Sequence, residues 1–474
     1  MKSKTKIFTA FVIIGSLVLF SGCLRQSPPS YKVDLEIWGV FDNSEIYDKI
    51  SAKFRLVNPH IGDIKYRKFV QETYKKDLLD ALASGQGPDI FMVSNSWVPS
   101  FQDKVEPSPD RIFTEQEVKN DFVDVVSDDF LINHQLYGIP LSVDSLALYY
   151  NKDLFNAAGI VSPPATWDEF NKDVSRLTVV DNIGNIIKSG AAMGTAYNIN
   201  RSTDILGLLM MQNGAQMVAD DKTEVAFNKP VVVGGIPTNA AEKAMNSYIK
   251  FSNPSDRLLY SWNPRMHYSI DAFFEGTTAM MLNYSFQYSV VQAKNSKLNF
   301  GVAPVPQVSG GVMADYANYW GFAVAKNKIQ PGVNNDVRIQ EAWQFLKFFA
   351  AKNNGKMKLV NAVSFAQCSA QKTQADCITG NDKDVVFNYD AAENYLTETG
   401  KPAARRDIIE KQKSDVFLGP FATGNLIAKS WYQPDPTAVE TILAEAIDSI
   451  NKSTANAYSA VKLAAERINV TLRK

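Results

Sequence analysis

The chain has 474 residues, 45% of them hydrophobic, with 49 lysines and arginines against 50 aspartates and glutamates and a net charge of -1. That near balance speaks against a nucleic-acid partner, and three histidines (His60, His134, His267) scattered without ligand or triad spacing offer neither a metal site nor a catalytic triad, so neither cofactor nor metal is expected. About 450 residues follow Cys23, more than one hydrophobic core usually organises, so two lobes are expected.

Lys2, Lys4 and Lys6 precede an apolar run from Ile7 to Phe20. At about 14 residues the run is short of the roughly 20 that a spanning helix needs, so residues 1–22 read as a signal peptide. Leu19-Phe20-Ser21-Gly22-Cys23 resembles the bacterial lipobox, in which Cys23 becomes the lipidated first residue of an exported chain. A plain signal peptide with an incidental cysteine, or an uncleaved anchor, are the alternatives. Residues 23–30, with Ser27-Pro28-Pro29-Ser30, read as a tether.

Val33, Leu35 and Ile37 alternate as a strand ending at Trp38-Gly39, and Ile46, Ile50, Phe54 and Val57 follow at helical spacing. A strand near 61–70, a helix presenting Tyr74, Leu78 and Leu82, and a strand over 88–93 complete a strand-helix alternation that predicts a parallel sheet covered by helices. Ligands of such sheets gather beyond the C-terminal strand ends, which points to Trp38 and to Asn95 and Trp97.

From Gln135 to Leu177 nearly every residue carries a local signal. Tyr137, Gly138 and Pro140 lead into a strand around Leu146–Tyr150, and the helix after it should stop at Gly159, where a left-handed cap suits glycine. Thr166 with Glu169 is a capping box, so the next helix should start at Trp167 and bury Phe170, Val174 and Leu177. Asp181–Asn185 reads as a hairpin turn, a helix with Ile205, Leu208 and Leu209 follows Asn200, and Asn239 with Glu242 caps another. The C-terminal hundred residues hold two amphipathic helices, introduced by Trp431-Tyr432.

Tyr137-Gly138-Ile139-Pro140, the LYYNKDLF strand from Leu148, and Pro163-Pro164 with Thr166-Trp167-Asp168-Glu169-Phe170 together resemble the family 1 extracellular solute-binding proteins, which include the sugar-binding proteins of ABC importers. The segments at 84–89, 271–281, 300–306 and 341–350 carry the same likeness, and it covers most of Val33–Leu472. The resemblance implies an α/β, type II periplasmic-binding-protein fold: two lobes, each a mostly parallel sheet flanked by helices, joined by crossing hinge strands. It places lobe I at 31–142 and 321–406, lobe II at 145–318 and 410–474, and hinges near 142–145, 319–321 and 406–410. The second hinge departs from the family pattern, with Ala317-Asn318 where relatives have a glycine pair. The loop between Cys368 and Cys377 also lies outside that pattern; the two predict a local disulfide in an oxidising compartment, or two free thiols.

The function implied is that of a lipid-anchored monomeric receptor on the outer face of the cell membrane, periplasmic if an outer membrane is present. It captures a carbohydrate between its lobes and hands it to an ABC permease, without enzymatic activity. Sugar sites pair flat rings with planar polar groups, which singles out Trp38, Trp97, Tyr284, Trp320, Trp431 and Tyr432 as platforms and Asn95, Asp144, Asn200 and Arg406 as polar partners. Each has a plainer use: a tryptophan in the core, Asp144 tying crossing strands, Arg406 paired at the surface, Asn95 and Asn200 holding turns. Alternatives of function are a sensor or adhesion receptor for another small polar solute, and an anchored glycan hydrolase, which would need two carboxylates about 5 to 10 Å apart.

Overall fold

The computed structural model describes residues 32–233, 235–352, 357–358, 377–379, 385–387 and 389–472. The leader, Cys23, the tether and the expected pairing of Cys368 with Cys377 lie outside the described residues.

The first lobe is built on β1 (Val33–Gly39), α1 (Ser44–Val57), β2 (Ile61–Lys68), α2 (Gln71–Ala83) and β3 (Ile90–Ser94). Strand β1 pairs in parallel with β2 and with β3. All five side chains of β3 are buried, as expected of a strand covered on both faces. Helix α1 turns Ile46, Tyr47, Ile50 and Phe54 into the core at a spacing of three to four residues.

The second lobe carries β4 (Ala147–Asn151), α3 (Lys152–Ala157), α4 (Trp167–Leu177), α5 (Ser202–Gln212), α6 (Ser269–Phe274), β5 (Met280–Asn283), α7 (Gln287–Lys294) and β6 (Phe300–Pro304). The local signals are met here: Gly159 has φ +67 after α3, and Thr166 and Glu169 exchange both capping-box bonds at the start of α4. Asn239 makes no side-chain cap bond; its amide donates to the Glu242 carboxylate instead.

One expectation needs correcting. The sheet of the second lobe is not mostly parallel: β4 lies between β5 and β6 and runs antiparallel to both. β5 and β6 are parallel to each other and connected through α7, but β4 arrives from the other lobe and enters between them pointing the opposite way. The first lobe shows the mirror case. Strand β8 (Trp320–Val324), which arrives from the second lobe after β7 (Asp315–Tyr316), adds to β3 antiparallel.

The cores meet at these crossings. Val143 belongs to the first core and Leu146 to the second, while Tyr316 belongs to the second and Ala317 to the first. The two segments lie side by side, with Leu146 N donating to Tyr316 O at 3.1 Å and Asn318 N to Asp144 O at 3.0 Å. Further along come α8 (Asn335–Ala350), α9 (Arg406–Gln412), α10 (Leu418–Asn425) and β9 (Ala428–Lys429). Asn425 donates to the carbonyls of Val143 and Ala403, binding α10 to the first crossing. Gly424 is required there, since a Cβ would stand 2.3 Å from Asp315 Oδ2 and 2.8 Å from Ser145 Oγ. Two packed helices, α11 (Pro436–Asn451) and α12 (Ala457–Leu472), complete the second lobe.

Candidate functional site

A cavity of about 510 Å³ opens between the two cores. Its first wall comes from the start of α2 (Glu72, Lys75), the turn after β3 (Asn95, Trp97) and the start of β8 (Trp320). Its second comes from the starts of α5 (Arg201, Asp204) and α11 (Asp435, Glu440), with Tyr316 and Trp431 at the back. Strand ends and helix starts converge here because a two-lobe sheet protein turns both sets of C-terminal strand ends toward its cleft.

Trp97 and Trp320 meet edge to face, ring centroids 4.9 Å apart. The Lys75 ammonium lies 4.8 Å from the Trp97 ring centre and donates to Pro434 O of the opposite lobe at 2.9 Å. The Trp97 indole nitrogen is buried with no partner among the described residues. Opposite, Trp431 donates to the Tyr316 hydroxyl at 3.0 Å, and so does Gln433. Arg201 takes a left-handed backbone conformation, φ +65, uncommon outside glycine, which brings its guanidinium 5.4 Å from the Tyr284 ring and 5.8 Å from that of Phe286. Tyr284 in turn donates to Asp204 at 2.8 Å.

Four of the sequence-derived residues, Asn95, Trp97, Trp320 and Trp431, line this cavity together. Tyr284 stands one layer behind, through Asp204. Trp38 is buried in the first core, its indole donating to Glu36 at 2.7 Å. Asp144 accepts from Ser285 N and Oγ and so braces the first crossing. Asn200 is used by Tyr268 and Asn283, Arg406 is paired with Asp124 at 2.6 Å on the surface, and Tyr432 is half-buried outside the cavity lining. Sequence reasoning passed over Arg201, Asp204, Tyr316, Glu440 and the exposed Phe286. Helix-start logic reached Asn200, one residue short of Arg201, because nothing local announces a left-handed arginine. The Asp435-Pro436 start of α11 was legible: Asp435 accepts from Ala438 N, with proline at the first helical position.

Beneath the cavity Asp129 accepts from Asn95, Tyr319 and Ser430, and burial pushes its carboxyl up to about 6 against those bonds. Burial likewise pushes Asp144 up to about 7, and Asp315 up, beside it. Raised carboxylates bind protons more readily folded than unfolded, so their contribution to stability is full below the ordinary 3.8 and is lost as pH rises through about 6 to 7. Through these groups the melting temperature is expected to fall between pH 5 and pH 8, and Asp129→Asn should flatten that slope. An unchanged slope in scans across the window would remove Asp129 as a contributor.

Comparison with known proteins gives three findings. The sequence profile of bacterial extracellular solute-binding proteins matches residues 70–356. A binding protein of Brucella abortus is 21% identical over 340 residues, 71% of this chain and 75% of its own, and the maltotriose-binding protein of Pyrococcus abyssi is 23% identical over 309 residues, 64% of this chain and 59% of its own. In three dimensions the chain superposes on the cyclic alpha-maltosyl-1,6-maltose binding protein of Arthrobacter globiformis with a TM-score of 0.68 at 18% identity, covering 93% of this chain and 99% of that one.

Proposed function

The chain belongs to the bacterial extracellular solute-binding protein family, and on that premise we propose that it is a lipid-anchored, non-enzymatic receptor that captures a carbohydrate between its lobes and delivers it to an ABC permease. The observation that carries the reading is the cleft itself, where aromatic rings of both lobes stand among planar polar groups: Trp97 and Trp320 on one side, Trp431 and Tyr316 on the other. A saccharide offers flat apolar ring faces and a rim of hydroxyls, which such walls match. Sugar-binding relatives in the family support the choice of solute.

Function on this reading is a shift of population. A ligand that touches both walls stabilises the closed arrangement by its extra contacts there, and the permease recognises that shape. We place the pivots near 142–145, 319–321 and 406–410, with 31–142 and 321–406 moving as one lobe and 145–318 and 410–474 as the other. Cys23 holds the receptor, as a monomer, at the outer face of the membrane.

A thermal-shift screen of the fragment from Ser27 onward tests this, with mono- and oligosaccharides, polyols, phosphosugars and short peptides. A ligand at a hundred times its Kd adds about 2.7 kcal/mol to the folded state. The expected result is a selective rise with one group of saccharides. A rise with peptides alone would keep the fold and overturn the solute.

A further inference from the structure

The charges of the cleft are unequal: four carboxylates, Glu72, Asp204, Asp435 and Glu440, line it against two cations, Lys75 and Arg201. Lys75 is engaged, whereas Arg201 makes no side-chain hydrogen bond or ion pair among the described residues and its Nε is buried without a partner. Burial works against the Arg201 charge, but Asp204, Tyr284 and Glu440 outweigh it and hold its pKa above the usual arginine value. Burial lowers the Lys75 pKa with Asp435 opposing, and its ammonium is held by Pro434 O and the Trp97 ring. Among the carboxylates, Asp435 caps α11 and Asp204 accepts from Tyr284. Glu72 of the first lobe and Glu440 of the second are exposed and in no ion pair among the described residues.

Binding a carboxylate or phosphate takes convergent cations with free donors. Here, of the two cations, Arg201 alone has a free donor and Glu440 already acts on it, so an anion would meet a single cation and the carboxylates of Glu72 and Glu440, whereas an ammonium placed between walls that carry one glutamate each would draw the lobes together.

Resting on the carbohydrate reading above, we propose that the cleft selects saccharides by charge: it accepts neutral ones, prefers those bearing amines and rejects uronates and phosphosugars, with Glu72 and Glu440 as the specificity-determining residues.

Two measurements on the fragment from Ser27 onward decide it. The first is titration at low ionic strength, where charge effects are least screened, with cellotriose, the β-1,4 glucosamine trimer and the β-1,4 glucuronate trimer. The expected order is amine, then neutral, then uronate, the last weaker than cellotriose by at least about tenfold. The Glu72→Gln/Glu440→Gln variant should abolish the advantage of the amine and narrow the uronate gap. A uronate that binds as well as cellotriose overturns the proposal. The second needs no saccharide: tryptophan quenching by iodide should rise and by caesium should fall in the double variant, with acrylamide unchanged as the neutral control. If no trimer binds but quenching moves this way, the charge selectivity stands and the carbohydrate reading gives way. Unchanged iodide and caesium quenching overturns the charge selectivity itself.

Discussion

Replacing Arg405 by alanine is expected to lower the unfolding free energy by about 3–5 kcal/mol, while the same change at its neighbour Arg406 costs under about 1 kcal/mol. Arg405 is 1% exposed, with its guanidinium donating to both carboxylate oxygens of Asp390, to both of Asp407 and to Ala350 O at the end of α8. Removing it strands two carboxylates at the edge of the first core and unties the segment leading into α9 from α8. Arg406 holds one partner, Asp124, which is itself 78% exposed on its side chain, so solvent replaces what the mutation removes. Urea unfolding of both variants separates the cases. Equal losses would mean that the buried network is not what holds this segment.

Replacing Trp320 by alanine is expected to weaken saccharide binding by about 2 kcal/mol or more, roughly thirtyfold, and to leave the empty protein folded. Trp320 starts β8, is only partly buried, and meets Trp97 edge to face and Phe41 in the same manner at 5.6 Å. Its loss takes away one wall of the cleft and frees Trp97 to tilt, while the strand below keeps its pairing with β3. Trp431→Ala is the less informative change: at 5% exposure in the second core, its truncation also costs about 3–5 kcal/mol of stability. Calorimetric titration of Trp320→Ala beside Trp320→Phe, which keeps a ring, should give an affinity between the two extremes for phenylalanine. Unchanged affinity in the alanine variant would take Trp320 out of the site.

Several features were legible because each depends on neighbours in the chain. The stop at Gly159, the capping box of Thr166 and Glu169 and the inward stripe of α4 are decided within one or two helical turns, so residue types suffice. The alternation of strand and helix in the first lobe is of the same kind, and it led to Asn95 and Trp97, since strand ends in such a sheet face the ligand side. Trp320 and Trp431 entered as aromatic candidates near a crossing and before a helix, and the cavity brings them together with those two.

Other outcomes rested on which groups the packed chain brings against one another. Arg405 and Arg406 are equivalent in sequence; which one turns inward was decided by the carboxylates of Asp390 and Asp407 and the end of α8. Trp38 ends a strand as Asn95 nearly does, yet the Glu36 carboxylate and the Phe69 ring, 4.3 Å from its centre, keep it in the core. The antiparallel course of β4 was hidden because strand direction follows from where the chain enters a lobe, which no local pattern records. By itself, then, the sequence determined the family, the two-lobe α/β fold and the local starts and stops of its elements, for these are set by short-range propensity and pattern. Tertiary structure alone decided which polar groups are consumed in internal bonds, as Asp144 is in bracing the first crossing and Asn200 is by Asn283 and Tyr268, and which, like Arg201, Asp204 and Glu440, are left lining the cleft, because burial and pairing belong to the packed chain as a whole.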